Sequence, residues 1–471
     1  MPEVTFASLL AELPPEPAKS VMGEIQAWVT ASRRKVVVLD DDPTGTQTVH
    51  GISVLTEWTV SILQAELETD SPAFYILTNS RSLSLDQAQA LNREIGANLK
   101  TAAQRTVCDF VIISRSDSTL RGHFPGELDA LAEGLETPFD GLILAPYFRE
   151  GGRYTINDIH YVVDNGKALP AAETEFARDP VFGYRESNLR SWVAEKTEGK
   201  IRSEAVVSLS IQDIRDGSAL EKLLKLAHGQ VCIVNAACDA DIEQVTLALL
   251  QAEDQGKRFL YRTAASFVRT RAGISHRSLL TSAELDSGSS NGGLIVVGSF
   301  VPKTTAQLKA LRASQTFVEI ELQVEDLLSN TRRPSVLSQA IELANRAIAR
   351  GQDVLLFTSR ALVTGADTQE SLKIGSLVSE SLVTCVRGLT IRPRYLIAKG
   401  GITSSDVATK GLGVRKALVL GQVHPGVPAW KLGAESRYPD LAYVVFPGNV
   451  GDERALIDVV TKFTNKEGST C

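Results

Sequence analysis

The sequence predicts an α/β fold: two α/β domains with mostly parallel sheets facing a central cleft. Three observations lead to it. Short apolar runs rich in β-branched residues, such as Val36–Leu39 and Leu294–Val297, alternate with longer amphipathic stretches. The alternation happens twice, and the two rounds are separated by TSAELDSGSSNGG at 281–293, whose small polar residues suit a linker. A chain of 471 residues also exceeds one domain of about 100–200 residues.

Residues 1–34 read as an N-terminal helical extension, because Val21, Ile25, Trp28 and Val29 recur at helical spacing between Ser20 and Ser32. The first domain, 35–280, offers strands at Lys35–Leu39, Ala73–Leu77, Phe110–Ile113, Gly141–Leu144 and Gln230–Val234. Helical patterns cover Leu85–Leu99 and Gly126–Gly134. The second domain, 294–471, offers strands at Leu294–Val297, Val354–Phe357, Tyr395–Ala398, Ala417–Leu420 and Tyr443–Phe446. Its helices are expected at Thr304–Ser314, Pro334–Arg350, Gln369–Val386 and Asp452–Phe463.

Composition narrows the class of function. Lys plus Arg is 49 against 56 Asp plus Glu, a net charge of −7. Phosphate neutralisation needs clustered positive charge, so a nucleic-acid partner is not expected. The cysteines are Cys108, Cys232, Cys238, Cys385 and Cys471, an odd number with no CxxC pair. This pattern fits free thiols in a reducing compartment, and a four-thiolate zinc site is not expected. The apolar runs fall far short of the about 20 residues of a membrane span. The N-terminus, with Glu3, Glu12, Glu16 and two prolines at 14 and 15, does not resemble a secretory leader. A cytoplasmic location is expected, with no membrane partner and with homo-oligomerisation left open.

Three places could carry chemistry. In VVVLDDDPTGTQTVHG, residues 36–51, a buried strand ends in Asp40, Asp41 and Asp42 and then a Pro-Thr-Gly turn. Ligands of open α/β sheets bind beyond the carboxyl ends of strands. Adjacent carboxylates repel, so one should have a raised pKa or a cationic partner, and one could accept a hydroxyl proton. In SRSDSTLRGHFPG, residues 114–126, Arg115, Asp117, Ser118, Thr119, Arg121 and His123 again follow a strand. Guanidiniums fork onto carboxylate or phosphate, and the hydroxyls could read a sugar. Arg178, Asp179, Tyr184 and Arg185 could add contacts from 175–188. The third place is a set of strand–Gly-loop–helix units, VVGSF at 296–300, LIAKGGITSSDVATK at 396–410 and VVFPGNVGDERAL at 444–456. Glycines let a phosphate reach backbone N–H groups at a helix start. Neither GxxxxGK[ST] nor GxGxxG occurs in these units, so the site is not a P-loop or a dinucleotide fingerprint.

Two readings accommodate these residues. Val36–Thr44 fits hhhhDxDxT, with Asp40 as the nucleophile of a haloacid dehalogenase-like phosphatase, Thr78 ending its second signature strand and Asp239 with Asp241 as the later acidic pair. That reading leaves the second half idle. The chain also resembles the four-carbon acid sugar kinases over roughly residues 35–460. The resemblance rests on DDPTGT at 41–46, DSTLRG at 117–122, RDP at 178–180, GS at 298–299, KGGIT at 399–403, PGVP at 425–428 and PGN at 447–449.

The resemblance implies a substrate-binding first domain, a nucleotide-binding second domain, and phosphorylation of the terminal hydroxyl of a small-molecule sugar acid such as threonate, erythronate or a 3-oxo-tetronate. Some relatives take 3-oxo-isoapionate instead. It implies ATP and Mg²⁺, with the metal ligands left open. ATP contacts would be Ser299, Gly400, Gly401, Ile402, Thr403 and Gly448. Substrate contacts would be Thr44, Gly45, Arg115, Asp117, Ser118, Thr119 and Arg121, with the acid's carboxylate on Arg115 or Arg121. Asp41 or Asp42 would be the catalytic carboxylate, and Asp40 would close the strand. The chain departs from the family's common DDFTGA, Lys and GGETS forms at DDPTGT, Arg115 and GGITSS.

Overall fold

A computed structural model describes residues 5–360, 363 and 368–464; Glu3 and Cys471 lie outside the described residues. The chain divides into two compact units, the first ending at His276 and the second beginning at Arg277.

In the first unit the strands are β1 (Lys35–Asp40), β2 (Ser53–Leu55), β3 (Ala73–Leu77), β4 (Phe110–Arg115), β5 (Gly141–Ala145), β6 (Arg153–Ile156), β7 (Ile159–Asp164), β8 (Lys167–Pro170), β9 (Val207–Leu209), β10 (Gln230–Val234) and β11 (Phe259–Thr263). Eight of them form a parallel series in the order β2-β3-β1-β4-β11-β5-β10-β9. Every residue of β1 is buried, as expected for a parallel strand covered on both faces. The chain runs from β1 out to β2, returns through β3 and crosses to β4. Its winding therefore reverses between β1 and β4, the place where open parallel sheets bind ligands. The register aligns Asp40 with Leu77 on one side and with Arg115 on the other.

The helix Leu85–Thr106 starts in a capping box of Ser84 and Gln87 and buries Ala88, Ile95 and Leu99. It meets the helix Gly126–Leu135 so closely that a Cβ on Gly134 would lie 2.2 Å from the Arg93 carbonyl. Both helices pack on Leu39, Phe74 and Ile112 of the sheet. The helix Met22–Ser32, second in the chain after Phe6–Ala11, lays Ile25 and Val29 on Leu247 and Leu250.

A separate antiparallel sheet, β6-β7-β8, was not expected from the sequence. Its turns hold Asn157, Asp158, Asn165 and Gly166 at positive φ, the backbone that two-residue hairpin turns demand. The Asn-Asp and Asn-Gly pairs were the available signal.

The second unit contains β12 (Leu294–Val297), β13 (Val318–Leu322), β14 (Val354–Thr358), β15 (Leu396–Lys399), β16 (Lys416–His424), β17 (Val427–Leu432) and β18 (Ala442–Phe446). Their order is β13-β14-β12-β15-β18-β17-β16, parallel through β18 and antiparallel after it. Here the winding reverses between β12 and β15. The stretch 281–293, a linker by composition, begins with the short helix Ser282–Leu285 capped by Thr281 and Glu284, and Leu285 joins the core of this unit. Among the described residues no helix is long and apolar enough to cross a membrane.

Candidate active site

The first site lies at the β1/β4 reversal. Asp42 caps the one-turn helix Pro43–Thr46, its Oδ1 accepting from Thr44 N at 2.9 Å and from Thr44 Oγ1 at 2.5 Å. The turn folds back over Asp40. A Cβ on Gly45 would stand 2.1 Å from both Asp40 carboxylate oxygens, so only glycine fits there. Asp40 is 1% exposed and accepts from Arg115 Nη1 at 3.2 Å. Burial raises its pKa to about 8, against the lowering effect of Arg115. Asp40 therefore does more than close the strand: it is the buried partner of Arg115.

Asp41 is forked by Arg81, with Nη2 at 2.5 Å and Nε at 3.1 Å. Arg81 Nη1 also lies 3.8 Å from both Asp42 and Asp117. Burial pushes the Asp42 carboxyl upward, but Arg81 and the two bonds from Thr44 outweigh it and hold Asp42 below the ordinary range. Asp117 is held down in the same way by Arg121, which reaches it with Nε at 2.8 Å and Nη2 at 3.3 Å, and by Arg81. Thr119 Oγ1 donates to Asp117 as well. The Ser118 carbonyl accepts from His160 Nε2 at 2.7 Å, and the Thr119 carbonyl from Tyr184 at 2.8 Å. The DDDPTG and SRSDSTLRG motifs thus converge on one ion network.

From 175–188, Asp179 approaches Arg121 at 3.7 Å and Tyr184 supports Thr119. Arg178 and Arg185 are exposed. His123 bonds the Leu83 carbonyl at 3.0 Å and meets the Phe182 ring edge-on, a packing role.

Several residues of the network escaped the sequence reading. Arg81 follows β3, and its signal was its place after a strand end. Arg262 lies in β11, where the register sets it beside Ser114. It is buried, donates to the Arg121 carbonyl at 3.0 Å and covers the Phe124 ring. Glu127, beneath them, has its pKa raised by burial to about 7.

The second site lies at the β12/β15 reversal. The register aligns Val297 with Lys399, which brings Gly298 and Ser299 beside Gly400. A Cβ on Gly298 would stand 2.3 Å from Thr403 Oγ1, and one on Gly448 would stand 3.1 Å from Ser299 Oγ. Gly400 has φ +118°, and a Cβ there would lie 2.9 Å from Ser299 Cβ. Three loops therefore close around Ser299. Thr304 Oγ1 ties them by donating to the Gly448 carbonyl at 3.0 Å, with Ser299 Oγ 3.2 Å away. Arg360 donates to the Ser299 carbonyl at 2.7 Å and to Thr305 at 2.8 Å. Gly401 is half-buried and Ile402 exposed, while Thr403 is turned inward. Lys399, also missed, is wholly buried; its Nζ donates to the carbonyls of Pro447 at 2.6 Å and Gly448 at 3.3 Å. Such a loop cluster suits phosphate groups.

Comparison with known proteins places the chain in a family. Residues 36–271 match a sugar-binding N-terminal domain and residues 294–456 a nucleotide-binding C-terminal domain. The chain belongs to the four-carbon acid sugar kinase family. A 3-oxo-tetronate kinase of Burkholderia multivorans is 25% identical over 418 residues, 85% of this chain and 91% of that protein. A 3-oxo-tetronate kinase of Pseudomonas fluorescens is 26% identical over 407 residues, 81% of this chain and 85% of that protein. The fold matches that of a Salmonella typhimurium LT2 protein described as a tRNA synthase, with TM-score 0.64 and 17% identity over 90% of this chain and 98% of that one. It also matches a Haemophilus influenzae protein, with TM-score 0.60 and 18% identity over 91% of this chain and 100% of that one. The acid sugar kinase family thus accounts for both halves of the sequence.

Proposed function

We propose that this member of the family uses ATP to phosphorylate the terminal hydroxyl of a four-carbon acid sugar, of the threonate, erythronate or 3-oxo-tetronate type. The first unit takes the acid and the second takes ATP. The observation that carries the reading is that each unit builds a ligand site at its own winding reversal, and the two sites differ in chemistry. One is an arginine–aspartate network suited to a small polar acid. The other is a set of glycine loops suited to phosphates. The names of the two relatives support the same substrate class. A branched acid such as 3-oxo-isoapionate is the alternative substrate.

In the reaction, the acid's hydroxyl oxygen bonds to the γ-phosphorus as the bond to the β–γ bridging oxygen breaks, and ADP leaves. The hydroxyl proton passes to a carboxylate. Asp42 is the better placed of the two candidates: it is half-buried and held ionised, and its Oδ2 lies 3.8 Å from Arg81 without a direct hydrogen bond. Asp41 has both oxygens engaged by Arg81. The glycine-loop amides at Ser299, Gly400–Thr403 and Gly448 would take up phosphate charge. Mg²⁺ prefers oxygen donors and usually rides on nucleotide phosphates with water completing its shell. The proposed Mg²⁺ would be carried by the nucleotide phosphates at the glycine loops and would neutralise their charge.

The phosphatase reading fares worse on geometry. A nucleophilic Asp40 would have to be reached through the Gly45 turn and released from Arg115. An ATP-consumption screen over C4 and branched C5 sugar acids tests the proposal. Turnover with ATP and one acid is expected; phosphate release from sugar phosphates without ATP would overturn it.

A further inference from the structure

The charge balance of the first site singles out one residue. The sequence offered Arg115 or Arg121 for the acid's carboxylate, but both already have one. Arg115 bonds Asp40, and Arg121 forks Asp117. Arg81 is spent in the same way on Asp41. A guanidinium already paired with a buried carboxylate has little attraction left for a second anion.

Arg153 differs. It comes from β6, the first strand of the small antiparallel sheet; among the described residues no carboxylate lies within ion-pair distance of it, and Asp117 and Glu175 act on it only from farther away. Its guanidinium sits 5.2 Å from the centre of the Phe176 ring, and that of Arg121 sits 5.2 Å from the same ring. One aromatic ring therefore gathers two guanidiniums, Arg121 in a direct ion pair and Arg153 outside one. Arg153 Nη1 donates to the Gly151 carbonyl, while Nε is buried without a partner. Arg262 also has no carboxylate in direct contact among the described residues, but it is 2% exposed and held against Phe124 and the Arg121 carbonyl. Arg153 is half-buried and can be approached.

We propose that Arg153 binds the carboxylate of the sugar acid, with Arg121 and Phe176 beside it. The identity of the ligand rests on the kinase reading given above; the anion preference of the position rests on the geometry. A partly buried guanidinium with no carboxylate in direct contact is costly, and an incoming carboxylate relieves that cost with forked hydrogen bonds. A neutral polyol of the same length would leave the charge unpaired. Arg153 is then the residue that makes the site select acids over neutral sugars.

The test uses the full chain, ATP and whichever of D-erythronate, D-threonate and L-threonate the wild type phosphorylates fastest, compared with the primary amide of that acid. Arg153→Met should raise KM for the acid about 10- to 100-fold, the value of a charge-assisted contact. It should change kcat much less, leave KM for ATP alone, and cut the acid-over-amide preference in kcat/KM by the same factor. A variant that prefers acid to amide as strongly as wild type overturns the proposal. Arg153→Lys keeps the charge and loses the fork, so about a tenfold loss is expected; this variant decides the matter if the methionine variant does not fold, and no loss overturns the proposal. Wild type that consumes ATP with none of the acids would sink the kinase reading instead. Calorimetric titration of D-erythronate then judges Arg153 alone: binding to wild type that Arg153→Met loses supports it, and equal binding, or none to wild type, overturns it.

Discussion

Replacing Lys399 by methionine should change how stability depends on pH. Lys399 ends β15 with its side chain fully buried, held by two backbone carbonyls and set 3.9 Å above the Phe446 ring. Burial, with Lys303 nearby, lowers its pKa to about 6. An unfolded lysine titrates near 10.4. Between about pH 6 and pH 10 the unfolded chain therefore binds one more proton at this residue than the folded chain does. Stability must rise with pH across that window by about 1.4 kcal/mol per pH unit, and below it the slope disappears. At pH 7 the lost proton costs about 5 kcal/mol. The two bonds to carbonyls return about 1 kcal/mol each. Lys399→Met, close in shape and without charge, should be more stable than wild type by roughly 3 kcal/mol at pH 7. By pH 9 wild type should have recovered most of that difference. Urea unfolding of both proteins at several pH values from 6.5 to 9.5, followed at the transition of the second unit, measures the gap. Parallel pH profiles would refute the reasoning, because they would mean that Lys399 keeps its proton when folded.

Other changes probe the two sites. Gly400→Ala forces a side chain at φ +118° to within 2.9 Å of Ser299 Cβ. Strain of about 1–3 kcal/mol at that loop should weaken ATP binding by about tenfold or more in calorimetry, with acid binding kept. Arg81→Ala strips Asp41 of its fork and should destabilise the protein by about 3–5 kcal/mol in urea unfolding; a loss below about 1 kcal/mol would contradict the ion network drawn here. Asp40→Asn should retain measurable ATP-dependent turnover, whereas Asp42→Asn and Asp41→Asn should each lose at least about 10²-fold in kcat. Trapping a phosphorylated Asp40 would overturn the kinase reading.

The alternation of β-branched runs with amphipathic stretches made the α/β class legible, since burial on both faces of a parallel sheet leaves that pattern in the sequence. Besides β2, β9, β13 and β17, it missed strands of another kind. β11 ends in Arg262 and Thr263, and Phe-Leu-Tyr-Arg-Thr does not read as a buried run. β6, β7 and β8 belong to a half-covered antiparallel sheet whose turns were legible, but whose strands mix Arg, Thr, His and Asp with apolar residues. Missing these strands meant missing Arg262 and Arg153 with them.

The sequence by itself determined where the chemistry had to be sought. Acids, hydroxyls and glycines placed directly after buried strands point to the carboxyl edge of a sheet, because side chains there leave the core and face solvent or ligand. It also implied that three adjacent aspartates needed positive partners. Only the tertiary structure decided which partners they have. Strand order is set by packing over distances of many tens of residues: it puts β4 beside β1 and β11 beside β4, and so gives Asp40 to Arg115 and sets Arg262 behind them. It likewise gives Asp41 to Arg81 and Asp117 to Arg121, and among the described residues leaves Arg153 without a carboxylate in direct contact. Pairing of charges depends on distances of 3–4 Å in space, which no spacing along the chain encodes.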